Sequence, residues 1–366
     1  MSPERLRVLV LFGGRSAEHG ISCLSARNVL ASLDGARYDV TAVGITREGR
    51  WTLVEQIPGG DGHNLPEVAA DGPTVALVRT GKGPRLLRCE PDAGDIGGVD
   101  VVFPVLHGPY GEDGAVQGLL DSVGVAYVGA GVTASALGMD KSVAKELFAL
   151  HGLPQVPFVS VREGRWEDAA EAVLDELTAT LAPPWFTKPA RQGSSIGISR
   201  CRDRDELAAG IVGALVYDEV VVVEQGVCDA REIECGVLGN TTIEVSAPGE
   251  IVTGHDFYDF DGKYRDEGLQ LDSPAEVPDD VVARCRELAV GAFRAIGARG
   301  MARVDFFYLP EQDTVLVNEI NTIPGFTAVS MFPLVWASAG YDGPALVDRL
   351  IDLAGDAARR VAARAR

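Results

Sequence analysis

The segment that most restricts the fold lies near the C-terminus. Arg303-Val304-Asp305-Phe306-Phe307 runs through Leu309-Pro310-Glu311-Gln312-Asp313 into Val315-Leu316-Val317-Asn318-Glu319-Ile320-Asn321. Two β-prone runs around a short Pro/Asp turn predict an antiparallel hairpin. With the turn centred on Gln312, Asp305 falls opposite Glu319 and Arg303 opposite Asn321, and the two-residue side-chain period puts all four on one face. Carboxylates directly opposite each other repel, so this face needs positive charge. Either it is solvated, with Arg303 pairing the acids, or a divalent cation sits among Asp305, Glu319 and Asn321. Oxygen donors without imidazole or thiolate suit a hard ion, and Mg²⁺ with few protein ligands bridges to nucleotide phosphates. The strand ends in Asn321-Thr322-Ile323-Pro324-Gly325-Phe326-Thr327. The backbone N–H groups of this Pro-Gly turn, with Arg303 as second donor, suit a developing oxyanion, which favours the metal reading.

The rest of the chain reads as α/β. Val8–Phe12 is an apolar run ending in Gly13-Gly14, a helical stretch follows Ser16 to Leu33, and Tyr38–Ile45 is a second strand, giving a βαβ opening. Residues 47–98 are rich in Gly, Pro and Asp and read as peripheral. Val101–Leu106 is again a buried strand, leading into His107-Gly108-Pro109-Tyr110-Gly111-Glu112-Asp113-Gly114 and a helix to Asp121, so a parallel sheet is expected here. Met139-Asp140-Lys141 opens a helix that stops at His151-Gly152. Strands are expected over Trp185–Lys188, Ile196–Arg200, Val220–Glu224 and Glu232–Leu238, and helices over Asp279–Ile296 and Gly343–Arg360. Periodicity lapses between Pro248 and Pro278, a length typical of a lid or binding loop. At 366 residues, two or three packed units are expected.

A net charge of −20 opposes binding to nucleic acid or anionic membrane. An anionic substrate must then be held by local cations, helix N-termini and metal ions. The six cysteines show no C-x-x-C pair, and the chain begins without a signal-like or membrane-spanning run, so a cytoplasmic protein is expected. One local cation is Lys188 in Lys188-Pro189-Ala190-Arg191-Gln192-Gly193-Ser194-Ser195-Ile196-Gly197, where Gly and Ser amides can close over phosphate, although an ordinary turn fits the same pattern. No G-x-x-x-x-G-K-[ST] occurs, so a nucleotide must be held otherwise than by a P-loop. Glu18 and His107 follow strand ends, where open sheets bind ligands; each alone could equally serve a helix dipole or a turn.

These motifs together resemble the D-alanine–D-alanine ligases of the ATP-grasp superfamily over nearly the whole chain. The likeness rests on Gly13 to Glu18, His107 to Gly114, Met139-Asp140-Lys141, Lys188 to Gly197, Arg231-Glu232-Ile233-Glu234, Tyr258-Asp259-Phe260 with Lys263-Tyr264, and Arg303 through Phe326, ending at Ser330-Met331. The resemblance implies an α/β ATP-grasp fold: an N-terminal open parallel α/β substrate domain (1–136), and central (137–226) and C-terminal (227–366) α+β units enclosing ATP. It implies Lys141 and Lys188 on the phosphates, Lys263 at the γ-phosphate, Glu224 and Glu232 towards adenine and ribose, and Phe257 near the base. Asp305, Glu319 and Asn321 would hold two Mg²⁺ (or Mn²⁺) ions. Glu18 would take the first D-alanine's ammonium, Arg303 and the Gly325 amide would face the reacting carbonyl, and Ser194, Tyr264 and Glu18 would pin the lid by hydrogen bonds. Ser330 would bind the second carboxylate, with His107 and Met331 also on the substrate side. The implied product is D-alanyl-D-alanine for peptidoglycan, made through an acyl phosphate with release of ADP and phosphate by a homodimer. Related ligases make D-Ala-D-Ser or D-Ala-D-lactate, and Tyr264 favours D-alanine over D-lactate. Two departures stand out: the segment from Glu224 to Glu232 is one residue longer than in most relatives, and Ala328-Val329 replace the usual small-then-aromatic pair before Ser330.

Overall fold

The computed structural model describes residues 5–57, 65–252 and 270–364. Its first sheet is built on β1 (Leu6–Gly13), followed by α1 (His19–Ser32), β2 (Tyr38–Ile45), β3 (Trp51–Leu53), β4 (Thr74–Thr80), β5 (Gly83–Glu90), β6 (Gly94–Gly98), β7 (Val101–Val105), α2 (Ala115–Val123) and β8 (Ala126–Tyr127), in the spatial order β6-β5-β4-β3-β2-β1-β7-β8. β1 pairs in parallel with β2 and β7. From Val8 onwards it is apolar because both its faces are covered: Val8, Val10 and Phe12 join one core, and Leu9 and Leu11 another. Only this half of the sheet is parallel. Residues 47–98, expected to be peripheral, extend one edge of the sheet with β3 to β6 in antiparallel pairing. These strands are half exposed, which dilutes the period-2 signal, and β6 is Gly-Asp-Ile-Gly-Gly.

The second sheet follows α3 (Val132–Met139) and α4 (Lys141–Leu150), the latter capped by the Asp140 carboxylate, which accepts from the Ser142 and Val143 N–H groups. It comprises β9 (Phe158–Arg162), β10 (Trp185–Pro189), β11 (Ser199–Cys201) and β12 (Val220–Gln225), with α5 (Glu163–Thr180) and α6 (Arg204–Leu215) inserted. The two strand faces have different partners. Trp185, Val221 and Val223 pack with Leu177 and Ile211 of the helices. Alternation then turns Phe186, Lys188, Val222 and Glu224 to the opposite face.

The third sheet has the order β16-β15-β13-β17-β18, with β14 beside β13. Its strands are β13 (Arg231–Gly239), β14 (Ile243–Val245), β15 (Gly249–Val252), β16 (Gln270–Asp272), β17 (Gly300–Leu309) and β18 (Thr314–Asn321), and α7 (Asp279–Ala295), α8 (Met331–Ser338) and α9 (Gly343–Arg364) complete the unit. On one face Ile233, Cys235, Val304, Phe306 and Val317 bury against Val281, Cys285 and Phe293 of α7. Leu346, Leu350 and Ile351 of α9 share a core with Ala26 and Val29 of α1, joining this unit to the first.

The β17–β18 hairpin has the expected pairs, Arg303 with Asn321 and Asp305 with Glu319. They arise by a route the sequence does not show. The turn closes Leu309 on Thr314, half a residue ahead of a centre at Gln312, and a bulge at Asn318 makes up the difference, since Phe306 pairs with Val317. Had the outer register continued, Asp305 would face Asn318, and Glu319 would turn to the other side. No helix among the described residues is long and apolar enough to cross a membrane.

Candidate active site

The three units enclose a cleft of about 1290 Å³. At one end Glu224 of β12 lies between two ammonium groups, Lys188 Nζ at 2.6 Å and Lys145 Nζ of α4 at 2.9 Å. Burial alone would raise the Glu224 carboxyl, but the two lysines bring it down to about 2. Burial likewise opposes the charge on Lys188, yet Glu224, with Glu319 and Glu232 beyond, holds its pKa above that of ordinary lysine. For Lys145 burial prevails and lowers it. Lys141, first residue of α4, donates to the Gln192 carbonyl at 2.7 Å and lies 3.5 Å from Glu319. Glu232 lines the cleft from β13.

The Gly/Ser loop is anchored at its base, where Asp218 accepts from the Arg191 backbone N–H and guanidinium at 2.7 and 2.5 Å. Further on, Ser194 and Ser195 adopt positive φ, 49° and 58°, uncommon for residues with a Cβ and frequent at functional sites. This conformation accompanies the donation of the Ser194 hydroxyl to the Glu18 carboxylate, across two units of the molecule. A Cβ at Gly193 would lie 2.8 Å from the same carboxylate and would displace it.

Glu18 immediately precedes α1 and is buried. Beside it, His107 is fully fastened. Its Nδ1 donates to the Ile323 carbonyl at 3.0 Å, which leaves Nε2 to accept from Ser25 Oγ at 3.1 Å, and Ser25 in turn accepts from the Phe326 N–H. Burial lowers the His107 pKa and keeps the ring neutral. The histidine therefore ties the first unit to the Ile323-Pro324-Gly325 turn. Glu112 accepts from the Gly108 N–H at 3.1 Å, and burial together with the neighbouring Glu18 charge pushes its carboxyl up to about 8.

On the hairpin, Arg303 grips Asp305 through both oxygens at 2.7 Å, Asn321 Nδ2 adds a third bond at 3.0 Å, and Arg303 Nε also lies 3.0 Å from Glu234. The positive charge demanded by the facing acids is thus supplied by Arg303 at Asp305 and by Lys141 at Glu319. Glu319, Asn321, Arg303 and Gly325 line the cleft, while Asp305 lies behind Arg303. Among the described residues no cluster of three His, Cys, Asp or Glu is placed to hold a metal. Glu319 and Asn321 offer the cleft oxygens of the kind a hard ion takes, whereas both Asp305 oxygens are held by Arg303. Beyond the turn, Ser330 Oγ caps the Thr327 N–H at 3.0 Å and meets the Thr327 hydroxyl at 2.7 Å. Met331 opens α8 and is buried at the cleft edge. Phe257, Lys263 and Tyr264 lie outside the described residues.

Three residues at this site were not singled out from sequence. Lys145 lies one helical turn from Lys141 on the same face of α4, and Glu234 lies two residues from Glu232 on the same face of β13, but a charge at such a position reads as solvent-facing from sequence. Glu112, five residues from His107 in an irregular loop, carries no periodic signal.

Comparison with known proteins agrees with this arrangement. Residues 7–130 match the family model described as D-ala D-ala ligase N-terminus, and residues 147–352 that described as D-ala D-ala ligase C-terminus. The chain is 50% identical to the D-alanine–D-alanine ligase of Kineococcus radiotolerans, over 96% of this chain and 97% of that one. It is 47% identical to that of Mycobacterium ulcerans, over 96% of each. Among solved structures it is similar to the D-alanine-D-alanine ligase of Coxiella burnetii, with a TM-score of 0.85 and 33% identity over 99% of this chain and 97% of that one. It is also similar to the VanG D-Ala:D-Ser ligase of Enterococcus faecalis, with a TM-score of 0.81 and 34% identity over 96% and 100%. With both halves matched by family models and relatives aligned from end to end, this chain belongs to the D-alanine–D-alanine ligase family.

Proposed function

We propose that this protein joins two D-alanines at the expense of ATP, passing through an acyl phosphate and releasing ADP and phosphate, for peptidoglycan precursor synthesis. The observation that carries this reading is a single cleft lined by Lys141, Lys188 and Glu224, by Arg303, Glu319 and Asn321 of the hairpin, and by Glu18, which the Gly/Ser loop reaches through Ser194. Lys141 and Lys188 bind phosphate oxygens with Lys263 reaching the γ-phosphate, and Glu224 and Glu232 face adenine and ribose with Phe257 near the base. Glu18 holds the ammonium of the first D-alanine, so that its carboxylate oxygen meets the γ-phosphorus as the bond to ADP breaks. The second D-alanine, its carboxylate at Ser330 beside His107 and Met331, then attacks the acyl carbon through its amine, which loses a proton as phosphate departs. Arg303 and the Gly325 N–H stabilise the oxyanion, worth about 2.7 to 4 kcal/mol per donor. Positioning contributes up to ~7 to 11 kcal/mol. The Ser194–Glu18 bond, which Tyr264 would extend, keeps water from the acyl phosphate.

Asp305, Glu319 and Asn321 would hold two Mg²⁺ (or Mn²⁺) ions, which when bound neutralise phosphate charge. For Asp305 to take part, Arg303 must pass to another carboxylate, and Glu234 already lies against it. We place the enzyme in the cytoplasm as a homodimer of units 1–136, 137–226 and 227–366. The test is product mass spectrometry with ATP, Mg²⁺ and D-alanine, D-serine and D-lactate in competition. D-alanyl-D-alanine as the main product supports the reading; D-Ala-D-Ser or a depsipeptide as main product moves the chain to the related ligases, and AMP with pyrophosphate refutes it.

A further inference from the structure

Lys145 has no task in the mechanism above. Its side chain is 2% exposed, its Nζ lies 2.9 Å from Glu224 and 5.5 Å over the Phe158 ring, and it sits behind Glu224 rather than on the cleft wall. Withdrawing an ammonium from water is costly, and a methionine would fill the same helix position without that cost. A charge kept there calls for a use.

Counting charges supplies one. Glu224 is shared by two lysines, Lys145 behind and Lys188 in front, so the buried group carries two cations and one anion. Lys141 is paired separately with Glu319. Without Lys145, Glu224 and Lys188 would close on each other as a neutral pair, and turning Lys188 towards a ligand would strand a buried carboxylate. With Lys145 in place, Glu224 keeps a partner whichever way Lys188 turns. We propose that Lys145 is a positioning residue for nucleotide binding: by neutralising Glu224 from behind, it leaves the positive charge of Lys188 available to a phosphate group in the cleft. This role rests on the cleft being the nucleotide site.

The test is isothermal titration of the full-length chain with Mg·ATP, Mg²⁺ with inorganic triphosphate, and adenosine, in the wild type, Lys145→Met and Lys145→Met/Glu224→Gln. The net charge of the buried group is then one positive, zero and one positive again. Lys145→Met is expected to weaken ATP and inorganic triphosphate by about tenfold or more and adenosine by less than about twofold, because one charge near the phosphates is lost. The double variant is expected to bind inorganic triphosphate within about threefold of wild type. Unchanged ATP affinity in Lys145→Met, a parallel loss of adenosine, or a double variant as weak as the single one would overturn the role. If Lys145→Met does not fold, Lys145→Gln and Lys145→Gln/Glu224→Gln take the places of the two variants, with the same expected losses and recovery, and equal affinities of those two for inorganic triphosphate would overturn the role. Wild-type protein that binds no Mg·ATP would overturn the nucleotide site itself and this role with it, whereas wild-type binding with an indifferent Lys145→Met removes only the role.

Discussion

Replacing Glu112 by Gln should make this protein more stable, by an amount that depends on pH. The carboxyl is buried beside Glu18 and its pKa stands at about 8, against an ordinary value of 4.5. Below pH 4.5 it is protonated both folded and unfolded and contributes nothing to the pH dependence. As pH rises through 4.5 the unfolded chain releases the proton while the folded chain keeps it, so the folded state is progressively disfavoured until about pH 8, where the effect levels off. Each pH unit in that window corresponds to about 1.4 kcal/mol, which sets a ceiling of about 5 kcal/mol. Burial is the larger cause and the Glu18 charge the smaller, and replacing the carboxyl by an amide removes both. Glutamine is isosteric and can still accept from the Gly108 N–H through its amide oxygen. Thermal unfolding followed by intrinsic fluorescence should show the Gln variant melting a few degrees above wild type at pH 8.5, the gap closing towards pH 5. A constant gap across that range, or a variant less stable at pH 8.5, would refute the idea of a buried carboxyl held protonated by Glu18 and burial.

Ser194→Ala removes the hydroxyl that donates to Glu18 across two units, and loss of a hydrogen bond to a charged group costs about 1.5 to 3 kcal/mol. Steady-state kinetics should show kcat/KM for D-alanine falling by roughly 10- to 150-fold with the melting temperature within a degree or two, and unimpaired kinetics would remove that bond from the mechanism. Glu319→Gln removes one carboxylate charge from the hairpin face. Turnover should fall by orders of magnitude and the Mg²⁺ requirement rise, as read from rate against Mg²⁺ concentration; near-normal activity would contradict the metal assignment.

Much of this site is legible because β-structure has a strict period. Once Arg303 to Asn321 is taken as a hairpin, the apolar residues Val304, Phe306, Val317 and Ile320 must face the core, which leaves Arg303, Asp305, Glu319 and Asn321 on the other side. The Asn318 bulge was not legible, because an asparagine in a strand gives no warning of a register shift; centring the turn on Gln312 absorbed it. The antiparallel half of the first sheet was missed because half-exposed strands such as Gly94–Gly98 carry too few apolar residues to alternate. Lys145 and Glu234 show a different limit. A charged residue in a periodic segment reads as solvent-facing, and only the packing of α4 against β12, and the pairing of β13 with β17, turns them inward as partners of Glu224 and Arg303.

The transfer of a terminal phosphoryl group to an amino-acid carboxylate in this cleft can be followed by one isotope. D-alanine carrying ¹⁸O in both carboxylate oxygens, incubated with the enzyme, ATP and Mg²⁺, is predicted to deliver one ¹⁸O to each phosphate released, as read by ³¹P NMR or mass spectrometry. Phosphate without the label, in a reaction that still yields dipeptide, would contradict it.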